Sequence, residues 1–293
     1  MQSLFLNSLN DNDFICFPDR SLHDGVDQND SHIENIDELI KKFKSIEELK
    51  NYSSHTIWKY SGSDTKELFE KNLKVQPNDW YYRNNEVNYT LNSLGYRTKE
   101  FDKIDWKNSV VIFGCSSVLG VGVDDCHTLP FFLEQEIGLP VINMGIVGSS
   151  NQCHIHNVSV LMNKYPTPKC VILKQATLLR LPVYSWNHVD HRGSWDLSDH
   201  EVKNNGSNIV IHNLIANNII ENICESKTTY INCSAALASF KFLNELMPNR
   251  NVRLLDNDEL NPIDWARDFI HTGINGNKLA AKSLAKIVKS KLN

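Results

Sequence analysis

After residue 105 the chain alternates short apolar runs with helix-length stretches, and that alternation leaves few folds open. Residues 110–113 (VVIF), 140–143 (PVIN), 170–173 (CVIL), 229–232 (TYIN) and 252–255 (VRLL) have the length and composition of strands. Between them, residues 129–137, 151–163, 209–224 and 235–246 are expected to be helices. A last helix is expected over 277–292, with Leu279, Leu284, Ile287 and Val288 on one face. Strands that are apolar on both faces must be covered on both faces, so the pattern predicts a parallel sheet between helical layers. The expected fold class is α/β, a three-layer α/β/α sandwich with a flavodoxin-like parallel sheet of about five strands and right-handed crossovers. In such sheets ligands gather at the carboxyl ends of the strands, so the residues just after each strand are where chemistry is sought.

The first 105 residues read differently. They are polar and rich in Asn, Asp, Ser and Lys. Residues 7–32 carry turn formers and little periodicity and are expected to be irregular. Residues 36–49 have apolar residues at helical spacing, enough for one or two short helices. Residues 78–98 are aromatic and Asn-rich with a turn at Gly95, an ordered segment expected to pack on something larger. The predicted organisation is therefore an extension over 1–105 packed on a core over 106–293, with no internal repeats.

Composition narrows the function classes. The net charge is -5, and Lys and Arg are scattered without a block. Phosphate binding needs clustered positive charge, so neither a nucleic-acid partner nor a polybasic membrane contact is expected. The seven cysteines are odd in number, irregularly spaced and partly set in apolar runs, which predicts buried thiols in a reducing compartment and no disulfide framework. The first ten residues lack a basic region and a sustained apolar core, and no window approaches the roughly 18 apolar residues of a membrane span. The expectation is a soluble, cytoplasmic protein as synthesised; a virion-associated protein, or one released by lysis, would read the same way.

Three turns at predicted strand ends carry the chemistry. The first is Gly114-Cys115-Ser116-Ser117-Val118-Leu119-Gly120-Val121-Gly122. A serine in a tight strand-to-helix turn exposes its hydroxyl beside backbone N–H groups that can hold an oxyanion, although such a turn also suits a phosphate or nothing at all. The second is Asn143-Met144-Gly145-Ile146-Val147-Gly148-Ser149-Ser150-Asn151, able to bring another N–H to the same place. The third is Asp268-Phe269-Ile270-His271-Thr272-Gly273, where an Asp three residues before a His can orient the imidazole as general base to a serine.

In residues and order these turns resemble the three blocks of the SGNH, or GDSL-like, hydrolase superfamily. Gly114-Cys115-Ser116 with Val118, Gly120 and Gly122 resembles its Gly-Asp-Ser block. Asn143, Gly145 and Gly148 match Asn-x-Gly-x-x-Gly, and Asp268, His271 and Gly273 match Asp-x-x-His-x-Gly before a helix. Residues 89–97 (YTLNSLGYR) resemble the Asn-x-x-Gly-aromatic-Arg segment that often precedes such domains. The resemblance covers roughly residues 80–293. It implies hydrolysis of an acyl ester without metal or organic cofactor: Ser116 as nucleophile, His271 as base, Asp268 orienting it, and the N–H groups of Ser116 and Gly148 in the oxyanion hole. A working relay would hold Ser116 Oγ within about 3.5 Å of a His271 ring nitrogen.

Two departures stand out. Cys115 occupies the place of the family's Asp, which mainly holds the turn. The Gly-x-Asn-Asp block after the third strand is missing; residues 174–180 (KQATLLR) stand there instead. Gln175 or Thr177 is the candidate substitute oxyanion donor, and Arg180 a candidate anion contact. Losing one such donor costs about 10²–10³ in rate, so a slow or inactive enzyme also fits.

Other residues have plainer roles open to them. Ser117 is a competing nucleophile and Cys115 a conceivable thiolate, but the motif register favours Ser116. His154 with His156, and His188 with Asp190 and His191, are weak metal-ligand pairs, and no metal is expected. Residues 184–200 form a polar, aromatic insertion, either a solvated loop or a carbohydrate-binding wall in which Trp186 and Trp195 stack on sugars. No Walker lysine follows Gly120 or Gly122, which counts against a nucleotide. The leading expectation is cleavage of O-acetyl groups on carbohydrate. The alternatives are an acyltransferase with the same triad, or an inactive binding or virion module.

Overall fold

The computed structural model describes residues 56–293 except 185–188, 194–198, 236, 247–251 and 257–261, with the backbone alone at 183–184, 189–191, 199–205, 237–239, 242 and 246. The expectations for residues 7–32 and 36–49, and the tryptophans Trp186 and Trp195, lie outside the described residues.

The core is a five-stranded parallel sheet made of β3 (Val110–Gly114), β4 (Val141–Gly145), β5 (Cys170–Lys174), β8 (Thr229–Ser234) and β9 (Val252–Leu254). Their spatial order is β4-β3-β5-β8-β9, the flavodoxin-like order with the first core strand inside and the second at its edge. Pairing sets Gly114 beside Gly145, and Phe113 beside both Met144 and Leu173. The two glycine-rich turns thus leave neighbouring strands at the same level.

Strand alternation divides the apolar residues between two layers. Val111, Phe113, Ile142, Met144, Val171 and Leu173 face one side. There they meet α4 (Asn151–Lys164) through Val158 and Leu161, and α5 (Asp199–Glu225) through Ile220 and Cys224. Val110, Ile112, Cys170 and Ile172 face the other side, against Leu129 and Leu133 of α3 (Leu129–Ile137) and the alanine-rich stripe Ala280, Ala281, Leu284, Ala285 and Val288 of α7 (Ile274–Leu292). Each fully buried Val, Leu, Ile, Phe or Met side chain among these contributes about 1.5–3 kcal/mol, and the alanines less. Helix α3 starts where Thr128 accepts the Phe131 N–H and ends at Gly138 in the left-handed region. Helix α6 (Leu237–Leu246) precedes β9.

Residues 56–105 add two strands and a helix without a clear sequence signal. Strand β1 (Thr56–Trp58) pairs antiparallel with β2 (Tyr89–Leu91), and α1 (Lys66–Val75) starts at Thr65, whose side chain accepts the Leu68 N–H. A second departure concerns the insertion after β5. Its backbone forms an antiparallel ribbon of β6 (Leu181–Tyr184) and β7 (Val189–Arg192), and its last two residues, Asp199 and His200, open α5. That helix begins ten residues before the expected start, because residues 199–208 have too few apolar positions to show helical periodicity.

Among the described residues six cysteines are free thiols, and all but Cys126 are buried. No described helix is long and apolar enough to cross a membrane.

Candidate active site

Strand β3 delivers Ser116 into the first turn of a four-residue helix, α2 (Ser116–Leu119). Close backbone packing holds that helix against β4. A Cβ on Gly145 would lie 2.3 Å from the Leu119 nitrogen, so only glycine admits the approach. Asn143 completes the seat: its amide donates to the Val118 carbonyl at 3.0 Å, and its side-chain oxygen accepts the Gly145 N–H. From the adjacent turn, Ser149 donates to the Gly114 carbonyl.

The third turn brings its pair to the same point. His271 Nε2 lies 2.7 Å from Ser116 Oγ, and Nδ1 lies 2.6 Å from Asp268 Oδ2. With Nδ1–H donating to the carboxylate, Nε2 is free to accept the Ser116 hydroxyl proton. The Asp268 side chain is fully sealed from solvent while that of His271 is 16% exposed, so the imidazole is reachable and its orienting acid is not. Asp268 Oδ1 accepts the N–H groups of Ile270 and His271 within the turn. Burial works to raise the Asp268 pKa, but hydrogen bonds from His271, Ser63 and Ile270 outweigh it and hold the carboxyl below its ordinary value. Phe269 takes a left-handed backbone (φ 56°), a conformation costing about 1–2 kcal/mol in a non-glycine residue, and its ring rests near Trp80.

Segments upstream of the sheet grip these turns. Arg97 ends the Asn92–Arg97 motif, in which the Asn92 side chain accepts the Leu94 and Tyr96 N–H groups. Its guanidinium donates to the carbonyls of Leu119, Gly120 and Val123 and pairs with Asp125. Gly122 N–H donates to the Tyr89 hydroxyl, which donates to Asp64. Asp64 in turn holds Arg267, the residue before Asp268. Ser63, Asp64, Tyr89 and Arg267 were not legible as site residues. The one available signal was the SGSD turn at 61–64, which has no spacing relation to residue 267.

The other expected residues divide. Gly148 sits in the turn after β4 with a positive φ. Among the described residues, neither its N–H nor that of Ser116 takes part in a hydrogen bond. Arg180 donates to the Ser149 carbonyl at 3.3 Å, beside that turn. Ser117 accepts from Lys174 Nζ at 2.7 Å and is not on the His271 ring; Cys115 is buried against Ser117.

Gln175 is corrected. Its amide nitrogen donates to Asn217 and Asn232, and its oxygen accepts from Asn151 and Asn217. Both donors are consumed in a buried amide network between α4, α5 and the sheet, so Gln175 has no N–H left for an oxyanion. Thr177, one residue beyond the network, is exposed.

Of the metal-ligand pairs considered, His154 is buried with Nε2 3.2 Å from Ser149 Oγ, a packing role. His188 lies outside the described residues, and the side chains of Asp190 and His191 are not described. Among the described residues one trio, Asp124, Cys126 and His127, has its donor atoms within 4.8 Å of one another. Burial and hydrogen bonding to Asp124 push the Cys126 thiol up.

No family model matches the chain, and no curated protein matches it. Several solved structures do. One is a carbohydrate esterase family 2 enzyme with a carbohydrate-binding domain from Corynascus thermopiles (Myceliophthora fergusii), at 12% identity over 64% of this chain and 67% of that one, with a TM-score of 0.45. Another is a family two carbohydrate esterase from Clostridium thermocellum in complex with cellohexaose, at 10% identity over 70% and 68% of the chains, TM-score 0.44. A third is an SGNH-hydrolase family esterase, at 16% identity over 65% and 100%, TM-score 0.30. By its strand order the chain has a three-layer α/β fold with a flavodoxin-like parallel sheet, and its first and third turns meet where Ser116 faces the His271–Asp268 pair.

Proposed function

We propose that this protein is a serine hydrolase of acyl esters, with O-acetyl groups on carbohydrate as its substrate class. The reading rests above all on the unbroken line from Ser116 Oγ through both His271 ring nitrogens to Asp268, at 2.7 and 2.6 Å. In the proposed reaction His271 Nε2 takes the Ser116 proton as Oγ attacks the ester carbonyl. The N–H groups of Ser116 and Gly148 receive the oxyanion. His271 then returns the proton to the departing alcohol, leaving an acyl-serine. Water, deprotonated by the same nitrogen, releases the carboxylic acid and restores Ser116. With Gln175 committed to its amide network, Thr177 is the proposed third donor. The carbohydrate class draws on the sequence of residues 184–200, where Trp186 and Trp195 offer stacking faces among acids and histidines.

The test is hydrolysis of p-nitrophenyl acetate and a panel of O-acetylated sugars, alongside Ser116→Ala. The expected result is acetate release that falls by at least about 10³-fold in the variant. Hydrolysis unchanged by Ser116→Ala would overturn the mechanism. Turnover of the nitrophenyl ester with no acetylated sugar accepted would reject the carbohydrate class.

A further inference from the structure

Asp268 is held by four donors. Two are backbone N–H groups of its own turn, on Oδ1; the third is His271 Nδ1, on Oδ2. The fourth comes from far away in sequence: Ser63 Oγ donates to Oδ2 at 2.7 Å and lies 3.4 Å from His271 Nδ1. Among the described residues it is the one hydrogen bond that reaches this carboxylate from outside the 268–271 turn.

We infer that Ser63 is a positioning residue of the relay, fixing the Asp268 carboxylate and the imidazole plane so that Nε2 stays aimed at Ser116. The inference deepens the proposed hydrolase reading and rests on it. A carboxylate offers about four lone-pair sites, and here all four are filled, so the side chain has no second orientation of equal energy. Ser63 shares with His271 the oxygen that the imidazole uses, and it touches the ring edge, where rotation of the imidazole would begin.

The position of Ser63 is itself enforced. Ser61 and Asp64 exchange backbone hydrogen bonds across the turn, Gly62 takes a positive φ, and Thr65 N–H donates to the Ser63 carbonyl. The next residue, Asp64, is buried in an ion pair with Arg267, which immediately precedes Asp268. Two consecutive residues of one turn therefore grip two consecutive residues of the other. The segment before the sheet supplies part of the relay and is more than a covering layer. Hydrogen bonds to a charged acceptor are roughly twice as strong as neutral ones, so the loss of this one is large enough to be seen in turnover.

The experiment compares Ser63→Ala and Ser63→Thr with the wild type by ester kinetics, thermal melting and proton NMR of the His271 Nδ1–H. The expected result is a kcat about tenfold lower in Ser63→Ala with KM unchanged. Ser63→Thr, which keeps the hydroxyl, should recover most of that loss. The downfield Nδ1–H resonance should shift or be lost to exchange in the alanine variant and persist in the threonine variant. A Ser63→Ala protein with wild-type kcat and an unmoved resonance would overturn the inference. So would equal impairment of both variants in step with a lowered melting temperature, which marks a purely structural residue. If the wild type hydrolyses no ester, the hydrolase reading fails by itself, and the resonance alone decides whether Ser63 positions the imidazole.

Discussion

Asp64 and Arg267, 203 residues apart in sequence, form a two-pronged ion pair with both side chains buried. Arg267 also stacks over the rings of Tyr60 and Phe69 and donates to the Lys59 carbonyl, so its charge is enclosed on every side that the described residues define. Removing one partner strands the other charge in the interior, which costs about 3–5 kcal/mol. Asp64→Ala and Arg267→Ala are each expected to lower the melting temperature by roughly 10 °C. The apolar double variant Asp64→Leu/Arg267→Met is expected to recover part of that loss, because it leaves no unpaired charge. Calorimetry on the three proteins checks the pattern.

Gly122 joins the first turn to the third. Its φ is +80°, and a Cβ there would lie 2.7 Å from the Ala266 Cβ and 3.2 Å from Asp268 Oδ1. Gly122→Ala combines left-handed strain of about 1–2 kcal/mol with a push on the acid-bearing turn. Esterase kcat is expected to fall at least about tenfold, since small misplacements of a relay are costly. Gly138→Ala serves as control: it carries the same type of positive φ with nothing within 4 Å, and should lose stability alone.

Much of the sheet was legible because its strands are short, apolar and closed by glycine-rich turns, and each turn carries its motif locally. The Asp268–His271 spacing is a turn property, so sequence alone suffices to pair them. What sequence could not give is pairing across the chain. Ser63 and Asp64 sit in a polar stretch with no periodicity to relate them to residues 267 and 268. Gln175 misled for the opposite reason. Its amide chemistry suits an oxyanion donor, but its partners Asn217 and Asn232 are brought in by α5 and β8, and only three-dimensional packing shows that its hydrogens are spent.

That network yields a prediction that separates Gln175 from Thr177. Gln175→Leu leaves buried amides on Asn151, Asn217 and Asn232 short of a partner, and is expected to destabilise by about 2–4 kcal/mol in urea unfolding. Thr177→Val removes an exposed hydroxyl and is expected to leave stability within about 0.5 kcal/mol. If Thr177 is the third oxyanion donor, its loss lowers kcat by about 10²-fold or more with little change in KM.

The ionised state of Asp268 gives a pH signature. Its carboxyl is held below the ordinary value by hydrogen bonds in the folded state, so the stabilisation it contributes is complete above the unfolded-chain pKa and is lost as pH falls through the folded one. Asp268→Asn lacks that contribution at every pH. The gap in melting temperature between wild type and Asp268→Asn is therefore expected to hold steady above about pH 5 and to narrow as pH falls below about 4, the ordinary Asp value. A gap that stays constant or widens on acidification would show that the carboxylate is not stabilised in this way.

The central claim is that Ser116, activated by His271, is the nucleophile. Its most direct measurement is covalent: treat the protein with a fluorophosphonate and map the adduct by peptide mass spectrometry, in wild type and in His271→Ala. The account predicts one adduct, on Ser116, forming at least about 10²-fold more slowly without His271. An adduct on Ser117, or labelling of Ser116 at the same rate in both proteins, would contradict it.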